Sequence, residues 1–344
     1  MMDKVKIVNW LLTRRCNLRC EYCSIVRDYD GKPTEYPDMK YYLENEMSTD
    51  TVIEGLRRFK LHNPDCFHIL YGGEPLLRKD LPEIINYCNK EDIFYTIITN
   101  NSDQVQPMLE NLFSKVEFVG GLTSSVDPII FDKNASGDIV LKSISGIKKL
   151  TRFEKFVKDL VAEITVDKNT VQYLHRLVKD LDSRDISSSI TFVDIAKTPY
   201  YDFSNIRDES TLVYPSAQLA EEFKKIFNDK LNVHMGKDLV AKIWDSLPSD
   251  MECSNYHDVQ VITVDADSSI RLCLRVRGVD SPKYMSLSNL FTNDNELNPF
   301  LKVYLFRDKR FYCKKCNWTC TMMAELVDDK ESLGDLVHLD RRKI

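Results

Sequence analysis

Three cysteines carry the densest chemistry in this chain. Cys16, Cys20 and Cys23 stand in the spacing C-x3-C-x2-C within WLLTRRCNLRCEYCSI, residues 10–25. Thiolates are soft ligands that suit iron, and three of them in one tight loop can reach three corners of a four-iron cube. The fourth iron then lacks a protein ligand, and an open position on a metal is where a small molecule binds and reacts. The spacing also permits a structural zinc knuckle completed by one distant ligand.

A second group lies near the other end. Cys253, Cys273, Cys313, Cys316 and Cys320 fall within 68 residues. Cys313 and Cys316 form a C-x2-C pair, which lets two thiolates reach one metal. Cys253 and Cys273 bracket two alternating runs, 259–264 and 269–273, that flank Asp265-Ala266-Asp267-Ser268 and read as a β-hairpin. Five cysteines exceed a four-thiolate site, so Cys320 either replaces one of the other four or stays outside it. A zinc site with four thiolates and a redox-active CKKC pair are the alternatives. The redox pair usually opens a helix in a βαβ setting, which this stretch lacks. Cys66 and Cys88 sit in strand and helix patterns and read as small buried hydrophobes. The six histidines show no ligand spacing.

These groups need a scaffold. The chain has 344 residues, 43% hydrophobic and 29% charged, ordinary for one large globular domain or two smaller ones. It has no apolar run of about 18 residues, so no transmembrane helix is expected. The start, MMDKVKIVNW, lacks a signal peptide's pattern. Ten cysteines without an export signal read as metal ligands in a reducing compartment, hence the cytoplasm. A net charge of −6 argues against broad nucleic-acid binding, which needs a Lys/Arg surface.

Apolar runs at 5–12, 67–71, 94–98, 116–122, 157–165 and 189–195 predict six buried strands. Helices alternate with them. Ser48 precedes one running to about Leu61. Asp80 caps one holding Ile84, Ile85 and Tyr87, and Ser102 caps the next. Asn169 caps one with Val171, Leu174, Leu177, Val178 and Leu181 on one face. Such alternation gives a parallel sheet, and pattern alone leaves an open sheet and a barrel equally allowed. In either, ligands bind at the C-terminal ends of the strands, where the first cysteine group lies. The stretch from Ala196 reads as a long polar loop holding Tyr200, Tyr201 and Asp202. Pro215 then opens a helix with Leu219, Phe223, Ile226 and Phe227 on its apolar face, and a further helix covers 239–247.

The triplet with Tyr22 before its third cysteine resembles the radical S-adenosylmethionine (radical SAM) superfamily. About 50 residues on, Gly72-Gly73-Glu74-Pro75 resembles that family's GGEP motif. The resemblance implies a [4Fe–4S] cluster on Cys16, Cys20 and Cys23, whose open iron binds S-adenosylmethionine. One electron from the reduced cluster then cleaves S-adenosylmethionine to a 5′-deoxyadenosyl radical, which abstracts a hydrogen from the substrate. It further implies that Tyr22 meets the adenine through its backbone and that Gly72, Gly73 and Glu74 hold the methionyl amine. Thr99 and Asn100 resemble the family's TNG, with Asn101 in place of glycine; Asn tolerates the left-handed turn. Ser124-Ser125-Val126-Asp127 resembles its S-x-D, with Ser125 at the ribose or carboxylate. Glu163, within the fifth strand, is the last candidate contact to the cofactor.

The resemblance chooses the fold: an α/β partial (β/α)6 TIM-like barrel over residues 1–196, a helical connector over 197–252, and a small β-hairpin/α domain over 253–344. The last is similar to the twitch region, the shorter relative of SPASM, and implies a second, auxiliary [4Fe–4S] cluster on the later cysteines. Relatives with such regions modify peptides or amino-acid side chains, which is the leading expectation for substrate; nucleosides, nucleobases and other small metabolites are the alternative. The first strand starts near residue 5, so no leader-binding domain is expected ahead of it, which lowers the peptide reading without removing it. An electron donor such as flavodoxin or ferredoxin is implied. The catalytic acid or base is not legible. The opposing class is a non-enzymatic iron–sulfur carrier or a zinc-stabilised binding protein, which would leave GGEP without a purpose.

Overall fold

The computed structural model describes residues 5–18, 37–126, 131–133, 139–141, 151–166, 170–192, 197–198, 201–202, 217–233, 261–271, 285–293 and 296–301. In chain order the elements are β1 (Ile7–Thr13), α1 (Pro37–Glu44), α2 (Thr49–His62), β2 (Phe67–Gly72), α3 (Leu81–Lys90), β3 (Phe94–Thr99), α4 (Gln106–Phe113), β4 (Val119–Ser125), β5 (Phe131–Lys133), β6 (Ile139–Leu141), β7 (Val157–Val166), α5 (Leu174–Asp182), β8 (Ser187–Phe192), β9 (Lys197–Thr198), β10 (Tyr201–Asp202), α6 (Ala217–Asn228), β11 (Val261–Val264), β12 (Ser269–Arg271) and β13 (Met285–Ser286). No helix among the described residues is long and apolar enough to cross a membrane. The chain forms two units. One holds Met1–Leu122, Lys197–Ile206 and Ser254–Lys314; the other holds Thr123–Ala196, Arg207–Cys253 and Lys315–Ile344.

In the first unit the strands run β13-β12-β11-β1-β2-β3-β4. β1 lies between parallel partners, pairing Ile7 with Val261 on one side and with Phe67 on the other. Val8, Trp10 and Leu12 are fully buried, as a strand covered on both faces requires. Trp10 anchors this core. Its indole N–H donates to His68 Nδ1 at 2.9 Å, and its ring meets Phe59 edge-on at 5.8 Å. Burial pushes the His68 imidazole down to about 3, so the ring is neutral and able to accept. A Cβ on Gly55 would fall 2.5 Å from Trp10 Cη2, so glycine is what lets α2 lie this close to β1.

The helices expected after Ser48, Asp80 and Ser102 form, and the caps of the last two differ from expectation. Ser48 Oγ accepts the Thr51 N–H at 3.2 Å, and α2 runs one residue past Leu61. Asp80 precedes α3 without capping it; its carboxylate instead takes the Thr49 hydroxyl and the Arg78 guanidinium. Ser102 likewise makes no cap bond, and a 3-10 turn over Asp103–Val105 separates it from α4.

The hairpin expected around Asp265 is present as β11 and β12, antiparallel with Val264 opposite Ile270. It does not stand apart from the strands before it: β11 adds to β1 in parallel. A seventh strand of this kind was not legible, because its parallel partner lies some 250 residues away in sequence.

The second unit carries the last residues of β4, then β7 and β8, parallel with Val161 opposite Ser187. Its core combines Ala162, Ile164 and Val166 with Leu174, Leu177, Val178 and Leu181 of α5 and Leu219, Phe223 and Ile226 of α6. Asn169 lies outside the described residues. Thr170 and Tyr173, at the cap positions that are described, make no side-chain cap bond. The partner comes from across the core: buried Glu222 of α6 accepts the His175 N–H at 3.1 Å. The expected loop after 196 includes a two-residue ladder, β9 with β10. Pro215 and the helix expected over 239–247 lie outside the described residues.

Candidate functional site at the ends of β1, β2 and β3

The β1–β2 ladder is regular to Leu11–Tyr71 and then shifts, so that Thr13 pairs with Gly72. Beyond the shift the two chains stay bonded. Gly73 N–H donates to Thr13 O and Glu74 N–H to Arg15 O, both at 2.8 Å. A Cβ on Gly72 would lie 2.4 Å from Thr13 O, and one on Gly73 only 2.2 Å from Arg15 O. Neither glycine has a left-handed backbone. Their use here is close approach, and what approaches is the segment that delivers Cys16.

Glu74 is fully buried. Its Oε1 accepts from Leu76 N–H at 3.1 Å and Thr99 Oγ1 at 3.0 Å, and its Oε2 accepts from Asn100 N–H at 2.8 Å. Burial pushes its carboxyl above the ordinary value of 4.5, and these donors oppose the rise. The side chain thus closes its own turn and pins the end of β3.

β3 ends in Thr99-Asn100-Asn101. Asn101 has φ +50°, the left-handed turn expected where the family pattern has glycine. Asn100 reaches the cysteine loop. Its Nδ2 donates to Asn17 Oδ1 at 2.9 Å and to Cys16 Sγ at 3.8 Å, while Leu18 N–H donates to the same sulfur at 3.4 Å. Asn17 in turn donates to Ser102 Oγ at 2.8 Å. The Ser102 hydroxyl therefore holds the cysteine loop.

The end of β1 is braced on its other side. Arg14 donates to both oxygens of Asp265, at 3.1 and 2.7 Å, and its guanidinium stacks 3.9 Å above the Tyr42 ring. Arg271 Nε also lies 2.6 Å from Asp265 Oδ2. Arg78 donates to Leu12 O at 2.9 Å and Met47 O at 3.0 Å. Asn17, Arg14, Tyr42, Arg78, Asp265 and Arg271 were not singled out from sequence. The one available signal was Arg14-Arg15 standing directly before Cys16.

Candidates on β4 and β7 belong to the second unit. Ser125 is half-buried at the end of β4. Glu163, on β7, accepts from Thr191 Oγ1 at 2.7 Å, and its carbonyl accepts from Val126 N–H at 2.7 Å. Cys20, Tyr22, Cys23, Asp127, Cys253, Cys273, Cys313, Cys316 and Cys320 lie outside the described residues.

Cys16 suits a thiolate ligand. It is partly exposed and both of the contacts just described are N–H donors, which favour sulfur carrying negative charge. Cys66 and Cys88 contrast with it: both are buried, and burial pushes their thiols well above the usual range. They are the packing residues expected.

An interlocked cysteine loop, GGEP turn and β3 end, on parallel strands alternating with helices, define a class. The chain belongs to the radical SAM superfamily, whose family model matches residues 10–185. Among curated proteins it is similar to the PqqA peptide cyclase of Xanthomonas axonopodis pv. citri, 26% identical over 60% of this chain and 51% of the relative. It is also similar to a probable GTP 3′,8-cyclase of Methanococcus maripaludis, 29% identical over 40% of this chain and 43% of that protein. The chain thus spans about half the length, or less, of these relatives. In fold it is similar to Streptococcus suis SuiB bound to S-adenosylmethionine, with TM-score 0.56 and 15% identity, over 96% of this chain and 76% of SuiB.

Proposed function

We propose that this chain is a radical SAM enzyme that modifies a peptide or an amino-acid side chain. The observation that carries the reading is the bonded path Glu74–Thr99/Asn100–Cys16, which joins three separate family motifs into one structure. In this reading Cys16, Cys20 and Cys23 hold a [4Fe–4S] cluster. When bound, that cluster supplies an open iron and one electron to S-adenosylmethionine, the source of a 5′-deoxyadenosyl radical. The chain's own residues orient and shield. The Gly72–Glu74 turn holds the methionyl amine, with the Glu74 carboxylate fixing the turn. The Tyr22 backbone meets the adenine, Ser125 meets the ribose or carboxylate, and Glu163 faces the ligand. Cys253, Cys273, Cys313 and Cys316, or Cys320 in place of one of them, hold an auxiliary cluster in a C-terminal segment over 253–344. A flavodoxin or ferredoxin in a reducing cytoplasm supplies the electron.

The similarity to a peptide cyclase supports the peptide reading. The similarity to a probable GTP cyclase supports a nucleotide as the second reading. Anaerobically reconstituted protein, reduced with dithionite, is expected to release 5′-deoxyadenosine. Deuterated peptide and deuterated nucleotide pools separate the substrates: deuterium should enter 5′-deoxyadenosine from the peptide pool. Transfer from the nucleotide pool alone would favour the second reading. No 5′-deoxyadenosine under any condition would refute both.

A further inference from the structure

The family resemblance assigns Asn100 to S-adenosylmethionine. Its side chain is engaged elsewhere. The Asn100 Oδ1 accepts the Ser102 N–H at 3.0 Å, and a backbone N–H can only donate, so this bond fixes which way the amide points. The NH2 end is left facing Cys16 Sγ at 3.8 Å and Asn17 Oδ1 at 2.9 Å. The Asn17 amide is oriented the same way, because its own NH2 donates to Ser102 Oγ and to Gln104 Oε1. The Asn100 backbone N–H is held by Glu74 Oε2. Backbone and side chain of this one residue therefore run from the GGEP turn to the sulfur of Cys16.

We propose that Asn100 is a positioning residue that sets the reduction potential of the cluster on Cys16 through an amide N–H···S bond. The inference rests on the functional reading above. A hydrogen bond to a ligating thiolate draws charge from the sulfur. It stabilises the reduced, more negative cluster over the oxidised one and so raises the potential. The backbone N–H of Leu18 supplies a second such bond that no side-chain substitution removes. Asn100 is the adjustable donor of the two.

The test uses Asn100→Leu, which keeps the branched shape at a larger volume and loses the donor, and Asn100→Asp, which turns a carboxylate oxygen toward the sulfur. Asn100→Ser shortens the side chain and serves where either fails to load iron. Each full-length variant is reconstituted anaerobically, its iron is counted, and the cluster on Cys16 is titrated by EPR. That cluster is recognised by the change of its signal on adding S-adenosylmethionine. The expected result is wild-type iron content with a potential more negative in Asn100→Leu, and more negative still in Asn100→Asp. An unmoved potential with weakened S-adenosylmethionine binding would overturn the proposal and return Asn100 to the cofactor. Loss of iron from all three variants would also overturn it, leaving Asn100 a purely structural tie. A wild-type chain with no S-adenosylmethionine-sensitive cluster would instead sink the functional reading beneath it. Iron content and potential thus separate the two failures.

Discussion

Arg14 and Asp265 form a two-pronged ion pair across 251 positions of sequence, with both side chains more than nine-tenths buried. It locks the residue two before Cys16 to the turn of the β11–β12 hairpin. Arg271, on the strand leading toward Cys273, shares the same carboxylate. One buried aspartate therefore ties together the lead-ins to both proposed cluster segments. The Tyr42 ring beneath Arg14 adds a cation–π contact to this cluster.

Asp265→Asn should be strongly destabilising, because it removes the buried carboxylate that both guanidiniums share. Removing one partner of a buried pair costs about 3–5 kcal/mol. The wild-type pair should also show acid sensitivity. Burial pushes the Asp265 carboxyl up, but Arg14 and Arg271 outweigh it and hold it at about 2, below its ordinary 3.8. A depressed carboxylate contributes stability that is complete above the unfolded value and lost as pH falls through the folded one. The contribution, about 2 kcal/mol, should fade between about pH 4 and pH 2. Urea midpoints of wild type and Asp265→Asn across that window should converge; parallel curves would show that the pair does not titrate there.

Glu74 should show the opposite slope. Its carboxyl is raised above 4.5, so its stabilising effect is present below that value and lost as pH rises through the higher folded value. Glu74→Gln removes the titration and should flatten this limb of the stability curve. Glu74→Ala leaves the Leu76 and Asn100 N–H groups and the Thr99 hydroxyl without their acceptor, at about 1–3 kcal/mol for a stranded buried donor. Denaturation curves between pH 4 and pH 8 test the slope. A wild type with a rising limb there would contradict the burial argument.

Gly73→Ala should damage the site more than an ordinary glycine substitution. The new methyl would sit 2.2 Å from a backbone oxygen, Arg15 O, which cannot swing aside as a side-chain tip would. The strain falls on the Gly73–Thr13 and Glu74–Arg15 bonds that carry the chain into Cys16. Overpacking of this kind costs about 1–3 kcal/mol. Reconstituted Gly73→Ala should bind less iron than wild type and melt earlier. Wild-type iron content in a variant with a lowered melting point would confine the effect to stability.

What was legible in the sequence follows from what is local. Apolar runs located β1, β2, β3, β4, β7 and β8 because each strand buries at least one face, β1 both, and Ser48 capped α2 through its own neighbours. Asn101 took the left-handed turn that its amide side chain tolerates. The bracing was not legible, since each brace spans a long stretch of chain. Asp80 and Ser102 looked like local caps, yet each spends its oxygen on a partner 31 or 85 positions away. Asp265 stands in the expected hairpin turn and is also a buried counter-ion, which the turn pattern does not reveal. The close approach that the GGEP glycines permit is to the backbone at Thr13 and Arg15, partners 59 and 58 positions away that no local pattern names.

The cysteines give the last prediction, because two kinds of environment can be compared directly. Cys16 is partly exposed and receives N–H donors, whereas Cys66 and Cys88 are sealed in the core, where a thiolate is disfavoured. Cys16→Ala should lower the iron of reconstituted protein by roughly four per chain, the content of one cube. Cys66→Ala and Cys88→Ala should leave iron unchanged and cost only packing, about 1 kcal/mol for the small volume removed. Iron and sulfide assays on the three variants, each checked for folding by circular dichroism, make the comparison. Loss of iron from a folded Cys66→Ala or Cys88→Ala would mean that a buried thiol serves the metal, and the division of the cysteines drawn from their surroundings would fall.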